Sequence, residues 1–358
     1  MPQISSHSRY AAAEHLERFC AGMLVAAGLT PADATTVADS LVQSNLRGID
    51  SHGVARLPHY LSRIARGSIN PKPDMHLHVV SPSTALIDGD HALGQLVMHR
   101  AAREAIHMAE QVGSAWVAVK HSSHCGALSY YGLEVARAGM VGFAFTHVDP
   151  MVMPHGARQP FCGTNPLCIA APAGRLGFEL CLDMATSITP WNSVMNAAME
   201  GQPIPPGWGV DDQGIDTTDP HRVNALYPVG EYKGSGLGMM IDVLCALLGG
   251  APFGPDIPVM YGDLTQRRLL GGLVGAIDIK RYVSLEVFEQ RALEMVTRWN
   301  QMPPARPGER VQYPGEPEAR SRVERLSRGI PLGLQLLETF DVLAEQYSIA
   351  PLATVDRA

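Results

Sequence analysis

His52 and Arg56 stand four residues apart in the run Arg47-Gly48-Ile49-Asp50-Ser51-His52-Gly53-Val54-Ala55-Arg56. On a helix beginning just after Ser51, the two side chains lie one turn apart on one face. A guanidinium holds a carboxylate through two parallel hydrogen bonds, and a neutral imidazole takes up a proton. The helix N-terminus disfavours an imidazolium at position 52, whereas Asp50 favours it. Acid/base work on a small carboxylate suits this pair. So does a capped helix start with a surface His and Arg, because such pairs are common on exposed faces. A second imidazole, His124, lies in Lys120-His121-Ser122-Ser123-His124-Cys125-Gly126-Ala127, after a β-like run and before a helix. Loops after strands collect ligand-binding residues because the scaffold fixes them. The alternative is a polar loop whose histidine satisfies a backbone carbonyl, in a chain with 14 histidines. A third group is Tyr232-Lys233-Gly234-Ser235-Gly236-Leu237-Gly238. Glycines admit a close ligand, and free N–H groups with Lys233 favour an anion such as a cofactor phosphate. Glycines for tight packing with Lys233 as a solvated cap explain the run equally well. It is neither a G-x-G-x-x-G fingerprint after a strand nor a Walker A loop.

A base, a cation and an anion cradle are the parts needed to oxidise a secondary alcohol by hydride transfer. The elements that must hold them follow from periodicity. Ala12, Leu16, Phe19, Met23 and Leu24 share one helical face, and Gly28 closes that run. Thr30-Pro31-Ala32-Asp33 opens a second helix through about Leu46. A third carries Val54, Leu57, Leu61 and Ile64. From about Met75 short β-like runs take over, at 76–80, 84–87, 115–119, 141–146 and 178–182, with helices at 95–112 and 127–137 between them. Beyond Lys233 helices return at 235–248 and 285–300, followed by a proline-rich stretch at 302–318 and a last helix within 332–347. The spacing predicts an α/β domain over 75–234, bracketed by a discontinuous helical domain from 1–74 and 235–358.

The 358 residues carry a net charge of −7, which gives no general attraction to nucleic acid or anionic lipid. The most apolar run, 234–251, is broken by Asp242 and reads as a buried helix rather than a membrane span. The N-terminus shows no export signal, so a cytoplasmic, soluble protein is expected. Six scattered cysteines form no C-x-x-C and read as reduced and buried. No histidine or cysteine set has metal-ligand spacing, which argues against a metal-dependent hydrolase or lyase. A pyridoxal-type enzyme with a Schiff base on Lys233 is a further alternative, recognisable by its aldimine absorbance.

Six ordered stretches, RGIDSHGVARLPHY (47–60), HSSHCGALSYY (121–131), HGARQPFCGTNPL (155–167), LDMAT (182–186), YKGSGL (232–237) and YPGEPE (313–318), resemble the type-2 malate/L-lactate dehydrogenase family over nearly the whole chain. Within it, DPMVMPHGA (149–157), PPGWGVDDQGIDTTDP (205–220) and VMYGDL (259–264) are most similar to the members that oxidise ureidoglycolate to oxalurate with NAD. The resemblance implies an α/β (α+β) fold with a non-Rossmann cofactor domain on a mixed sheet, a helical domain, and a homodimer with its active site near the subunit interface. It implies a small 2-hydroxy acid as substrate and NAD as cofactor, with NADP left open. The acid/base histidine maps to His124 by one comparison and to His52 by another. His124 is taken as the acid/base, with Ser51, His52 and Arg56 holding the substrate carboxylate and its neighbouring oxygen. Cofactor contacts map to Val148, Asp183, Met184, Ala185, Lys233, Gly234, Gly315, Glu316 and Pro317, and no metal is expected. Val148 stands where a serine is found in the ureidoglycolate-oxidising members, so a side-chain hydrogen bond is lost there. Ser235 stands where tyrosine is common. Malate, lactate, sulfolactate and cyclic imino acids are substrates of similar-looking members.

Overall fold

The computed structural model describes residues 8–356 apart from 175, 176 and 178. Strand β1 (Ser8–Ala11) leads into helices α1 (Ala13–Ala26) and α2 (Pro31–Leu46); α1 buries Leu16, Phe19, Met23 and Leu24 of the predicted stripe, while Ala12 precedes the helix and is exposed. Pro31 takes the first helical position of α2. The Asp33 N–H donates to the Thr30 hydroxyl, which donates in turn to the Asp33 carboxylate. This satisfies an orphan donor at the helix start. The third helix, α3 (Leu57–Ala65), begins later than its sequence suggests. Two 3₁₀ turns, Asp50–His52 and Val54–Arg56, precede it.

Seven strands form one mixed sheet in the order β2 (His76–Ser81), β3 (Thr84–Asp88), β4 (Ser114–Ser122), β10 (Leu270–Asp278), β5 (Met140–Thr146), β6 (Leu167–Ala171) and β7 (Leu180–Met184). Only β3 and β4 run parallel; the other neighbours are antiparallel. Helices α4 (Gly94–Val112) and α5 (Ser129–Arg137) pack on the sheet around Val97, Ala101, Val117, Leu133 and Val274. A second core joins Leu16, Leu41, Leu57 and Leu61 to Ile330, Leu332 and Phe340 of β11 (Ile330–Gly333) and α10 (Leu334–Tyr347). β11 pairs with β1, so the two ends of the described chain meet in one layer.

Three expectations need correction. Residues 270–278 were assigned to the helical part, yet they form the middle strand of the sheet. That strand is buried on both faces, so it shows no alternation, and Gly271, Gly272 and Gly275 obscure its β character. At Gly275 an added Cβ would lie 2.3 Å from the Trp116 ring. Secondly, the helices α6 (Trp191–Met199) and α9 (Glu316–Arg328) and the strand β6 were not foreseen; α9 is so polar and so close to the prolines that it reads as loop. Finally, the β-run expected at 178–182 is observed over Leu180–Met184, and Phe178 itself lies outside the described residues.

The head of α4 fixes the loop that carries His124. Gly94 N–H donates to Ser123 Oγ at 3.0 Å, and Ser123 Oγ donates to the Ala92 carbonyl at 2.9 Å. A Cβ on Gly94 would sit 2.2 Å from the Ser123 carbonyl oxygen and 2.8 Å from the Cys125 backbone, neither of which is a flexible side-chain end. Gly94→Ala is therefore expected to lower stability by about 1–3 kcal/mol, the usual cost of overpacking, as a reduced urea midpoint.

Candidate active site

Ser51, His52 and Arg56 from the 3₁₀ turns and His124 from the loop after β4 line one cavity of about 580 Å³. Val148 and, at the end of β7, Asp183, Met184 and Ala185 form another part of its wall, and Gly315 and Pro317 a third. Its size is that of a cofactor or substrate site. The spacing argument for His52 and Arg56 reached the right place by the wrong geometry, because Gly53 interrupts the helix between them. Asn45 of α2 occupies the space that a side chain at 53 would need: its Oδ1 would lie 2.1 Å from a Cβ there and instead accepts from Val54 N–H at 2.8 Å. The interruption turns both side chains into the cavity.

The two imidazoles stack, with ring centroids 5.5 Å apart and planes inclined by 22°. Ser51 Oγ lies 2.9 Å from His52 Nδ1, and Tyr60 Oη lies 2.7 Å from His124 Nδ1. Arg56 donates from Nε to the Ser51 carbonyl at 2.6 Å and from Nη1 to Tyr261 Oη at 2.5 Å. Both acceptors are uncharged, so its positive charge remains available to an anion. Asp50, expected to favour protonated His52, is committed elsewhere: Arg325 of α9 binds its two carboxylate oxygens at 2.6 and 2.9 Å.

Removal from water, reinforced by Arg56, lowers the pKa of His52 to about 4. Burial holds His124 well below the ordinary histidine value, and His52, Arg56, Arg268 and His59 push the same way. His59 is also lowered to about 4, by burial and then by Arg63, Arg56 and Arg268. These imidazoles are neutral at pH 7, the form a base requires. A stability consequence follows from the sign of the shifts. Below about pH 6.5 the unfolded chain takes up protons on these histidines that the folded one refuses, so stability falls as the pH drops towards about 4. Urea titrations across that window are expected to lose about 1 kcal/mol per pH unit for each such imidazole. A shallower slope in His124→Gln marks its share.

Sequence reasoning missed several residues on the cavity wall, among them Arg47, Trp191, Asn192 and Tyr261. Arg47 is 8% exposed, and its Nε is buried with no hydrogen-bond partner among the described residues. It neighbours Asp183, which burial raises above the ordinary carboxylate value and which accepts from Ser129 N–H at 2.7 Å. Tyr261 sits on a loop whose carbonyls at 259, 260 and 266 all accept from buried Arg63. Three residues expected at the cofactor are not on this wall. Glu316 is buried, and its carboxylate accepts from Arg310 and Asn300, both at 3.2 Å. Lys233 and Gly234 open α7 (Tyr232–Asp242) outside the cavity, with Lys233 exposed and Gly234 packed against the Val229 and Thr186 carbonyls.

Comparison with known proteins places this arrangement. Residues 11–341 match the family model for malate/L-lactate dehydrogenase. The ureidoglycolate dehydrogenase (NAD(+)) of Escherichia coli O157:H7 is 39% identical over 319 residues, 89% of this chain and 91% of that protein. The malate dehydrogenase of Pyrococcus horikoshii is 33% identical over 349 residues, 95% of this chain and 96% of that protein. Among solved structures, the sulfolactate dehydrogenase of Methanocaldococcus jannaschii superimposes with a TM-score of 0.88 at 31% identity, covering 95% of this chain and 98% of that one. The chain is an oxidoreductase acting on CH–OH donors. It belongs to the malate/L-lactate dehydrogenase family of 2-hydroxy acid dehydrogenases.

Proposed function

We propose that this dehydrogenase oxidises ureidoglycolate to oxalurate with NAD. The observation that carries the reading is the pair of neutral, stacked imidazoles at 52 and 124 beside a guanidinium that no acid among the described residues neutralises. His124 takes the substrate hydroxyl proton. Arg56 grips the carboxylate, and Ser51 and His52 hold the oxygen next to it. The choice of ureidoglycolate among 2-hydroxy acids is supported by the 39% identity to the enzyme named for it. Malate and sulfolactate are the alternatives, since enzymes named for them are 33% and 35% identical.

A nicotinamide cofactor suits the residues present: the cavity is of about 580 Å³, and Arg47 on its wall, whose Nε has no partner among the described residues, brings a guanidinium suited to an anionic or hydroxyl-bearing ligand. When bound, the cofactor supplies the hydride acceptor. Val148, Asp183, Met184, Ala185, Gly315 and Pro317 would hold it. Asp183, half-buried in the wall, favours a ribose diol over a 2′-phosphate, hence NAD over NADP. The mixed sheet, with its single parallel pair among the described strands, supports a cofactor domain of non-Rossmann type, and the second core supports a helical domain drawn from both ends. A homodimer is supported by the apolar surface of α7 and the π-helical turn after it, where Met239, Met240, Leu247 and Leu248 are each more than half exposed. Lys233, exposed on that same helix, would meet the cofactor across this interface, while Gly234 packs the helix head against its own chain.

The test is a screen of 2-hydroxy acids with NAD and with NADP, followed by growth of the reduced-cofactor absorbance. Ureidoglycolate with NAD is expected to give the largest kcat/KM. Preference for malate or sulfolactate would reassign the substrate, and silence with every 2-hydroxy acid would sink the proposal.

A further inference from the structure

We propose that Tyr60 and Gln95 are positioning residues that decide which nitrogen of His124 carries its proton, through a hydrogen-bond pair with two settings behind the imidazole. The inference rests on the reading of His124 as the acid/base. Neither residue lines the cavity. Tyr60 projects from α3 and is 1% exposed; Gln95, in the first turn of α4, is fully buried.

Gln95 Nε2 donates to Tyr60 Oη at 3.0 Å, and Tyr60 Oη lies 2.7 Å from His124 Nδ1. Gly126 N–H also points at Nδ1, at 3.4 Å. A phenol that accepts from Gln95 sends its own proton to Nδ1. Neutral His124 then carries its hydrogen on Nε2, the nitrogen left for the cavity. In that setting the ring donates to a ligand oxygen but has no lone pair there to receive a hydroxyl proton.

A base needs the opposite tautomer, with hydrogen on Nδ1 and the lone pair on Nε2. Tyr60 must then accept from Nδ1–H, and its O–H must find another acceptor. Gln95 Oε1 meets that need, because it is buried with no hydrogen-bond partner among the described residues. A half-turn of the carboxamide brings Oε1 to where Nε2 now stands. Both settings keep the Gln95–Tyr60 and Tyr60–His124 bonds with their directions reversed, and the Nδ1–H setting gives up only the long 3.4 Å bond from Gly126 N–H, so the two lie close in free energy. In the base-ready setting Nε2 would receive the substrate hydroxyl proton, and a bound nicotinamide would supply the acceptor for the C2 hydride. The resulting imidazolium keeps Nδ1–H on Tyr60 and returns its extra proton to water. Burial raises the Tyr60 hydroxyl far above its ordinary value, so it serves throughout as an uncharged phenol. Two orientations of one amide thus select two tautomers of one histidine.

Histidine ¹⁵N shifts report the tautomer directly. The His124 pair is assigned by its loss in His124→Gln and then compared in the wild type, Gln95→Leu and Tyr60→Phe, without substrate or cofactor. In Gln95→Leu the phenol keeps Nδ1 as its one acceptor among the described residues, so the shifts are expected to move to the Nε2–H tautomer. Tyr60→Phe leaves only Gly126 N–H behind the ring and is expected to move them the same way. In both, kcat is expected to fall roughly 10- to 100-fold with KM within about threefold of the wild type. Gln95→Glu keeps the shape and, when ionised, only accepts, so it is expected to shift the pair towards Nδ1–H. Identical ¹⁵N patterns in the wild type and the folded variants would overturn the inference. Undiminished turnover in His124→Gln would instead remove the acid/base role while leaving the tautomer shifts standing, so the two failures are distinguishable.

Discussion

His124→Gln is expected to lower kcat by about 10²- to 10⁴-fold, the usual contribution of a positioned general base. Glutamine keeps a polar group near Tyr60 but cannot take a proton. The loss should therefore fall on the chemical step, with the affinity for reduced cofactor, read by fluorescence, changed by less than about threefold. His52→Gln separates the two imidazoles. In the proposed arrangement His52 is tied to Ser51 and stacked on His124, so its loss acts on how substrate is held and is expected in KM at least as much as in kcat. A larger kcat loss at 52 than at 124 would exchange their roles. Burial holds both imidazoles below their ordinary value, so the acidic limb of kcat/KM is expected well below pH 6.5. An inflection near 6.5 would show that the catalytic imidazole is solvated.

The legibility of this site in the sequence was uneven, for physical reasons. Helices with a regular apolar stripe and clear end signals, such as α2 with Thr30 and Pro31, were readable to within a residue. His52, Arg56 and His124 were visible as residue types next to predicted element ends, and they converge on one cavity. Their actual geometry was not visible, because it depends on Asn45 filling the space beside Gly53 and on Arg325, 275 residues away from Asp50, removing that carboxylate from the histidine. Such contacts leave no periodic trace. The strand β10 was hidden for a different reason: burial on both faces removes the alternation by which a strand is recognised. LDMAT and PGEPE could be singled out only through resemblance, since one is a strand end and the other a turn into the polar helix α9.

Breaking the buried Asp149–Arg268 pair is expected to produce the largest loss of stability. Arg268 is 3% and Asp149 4% exposed, and one Asp149 oxygen bonds Arg268 while the other accepts from Met260 N–H at 3.1 Å. Met260 and Tyr261 both line the cavity, and Tyr261 braces Arg56. Arg268→Met leaves an uncompensated buried carboxylate and is expected to cost about 3–5 kcal/mol, read from urea denaturation. Asp149→Leu/Arg268→Met removes both charges and should recover much of that loss, because two apolar side chains avoid the desolvation of the ion pair. Its catalysis should not recover with its stability. The Met260 N–H then has no acceptor, the loop turns Tyr261 away, and Arg56 loses one of its two tethers. KM for the hydroxy acid is expected to stay raised about 10-fold in the stabilised double variant, which corresponds to about 1.4 kcal/mol of lost substrate binding. A double variant with wild-type KM would mean that Arg63, which holds the same loop by three carbonyls, is sufficient to seat Tyr261 without Asp149.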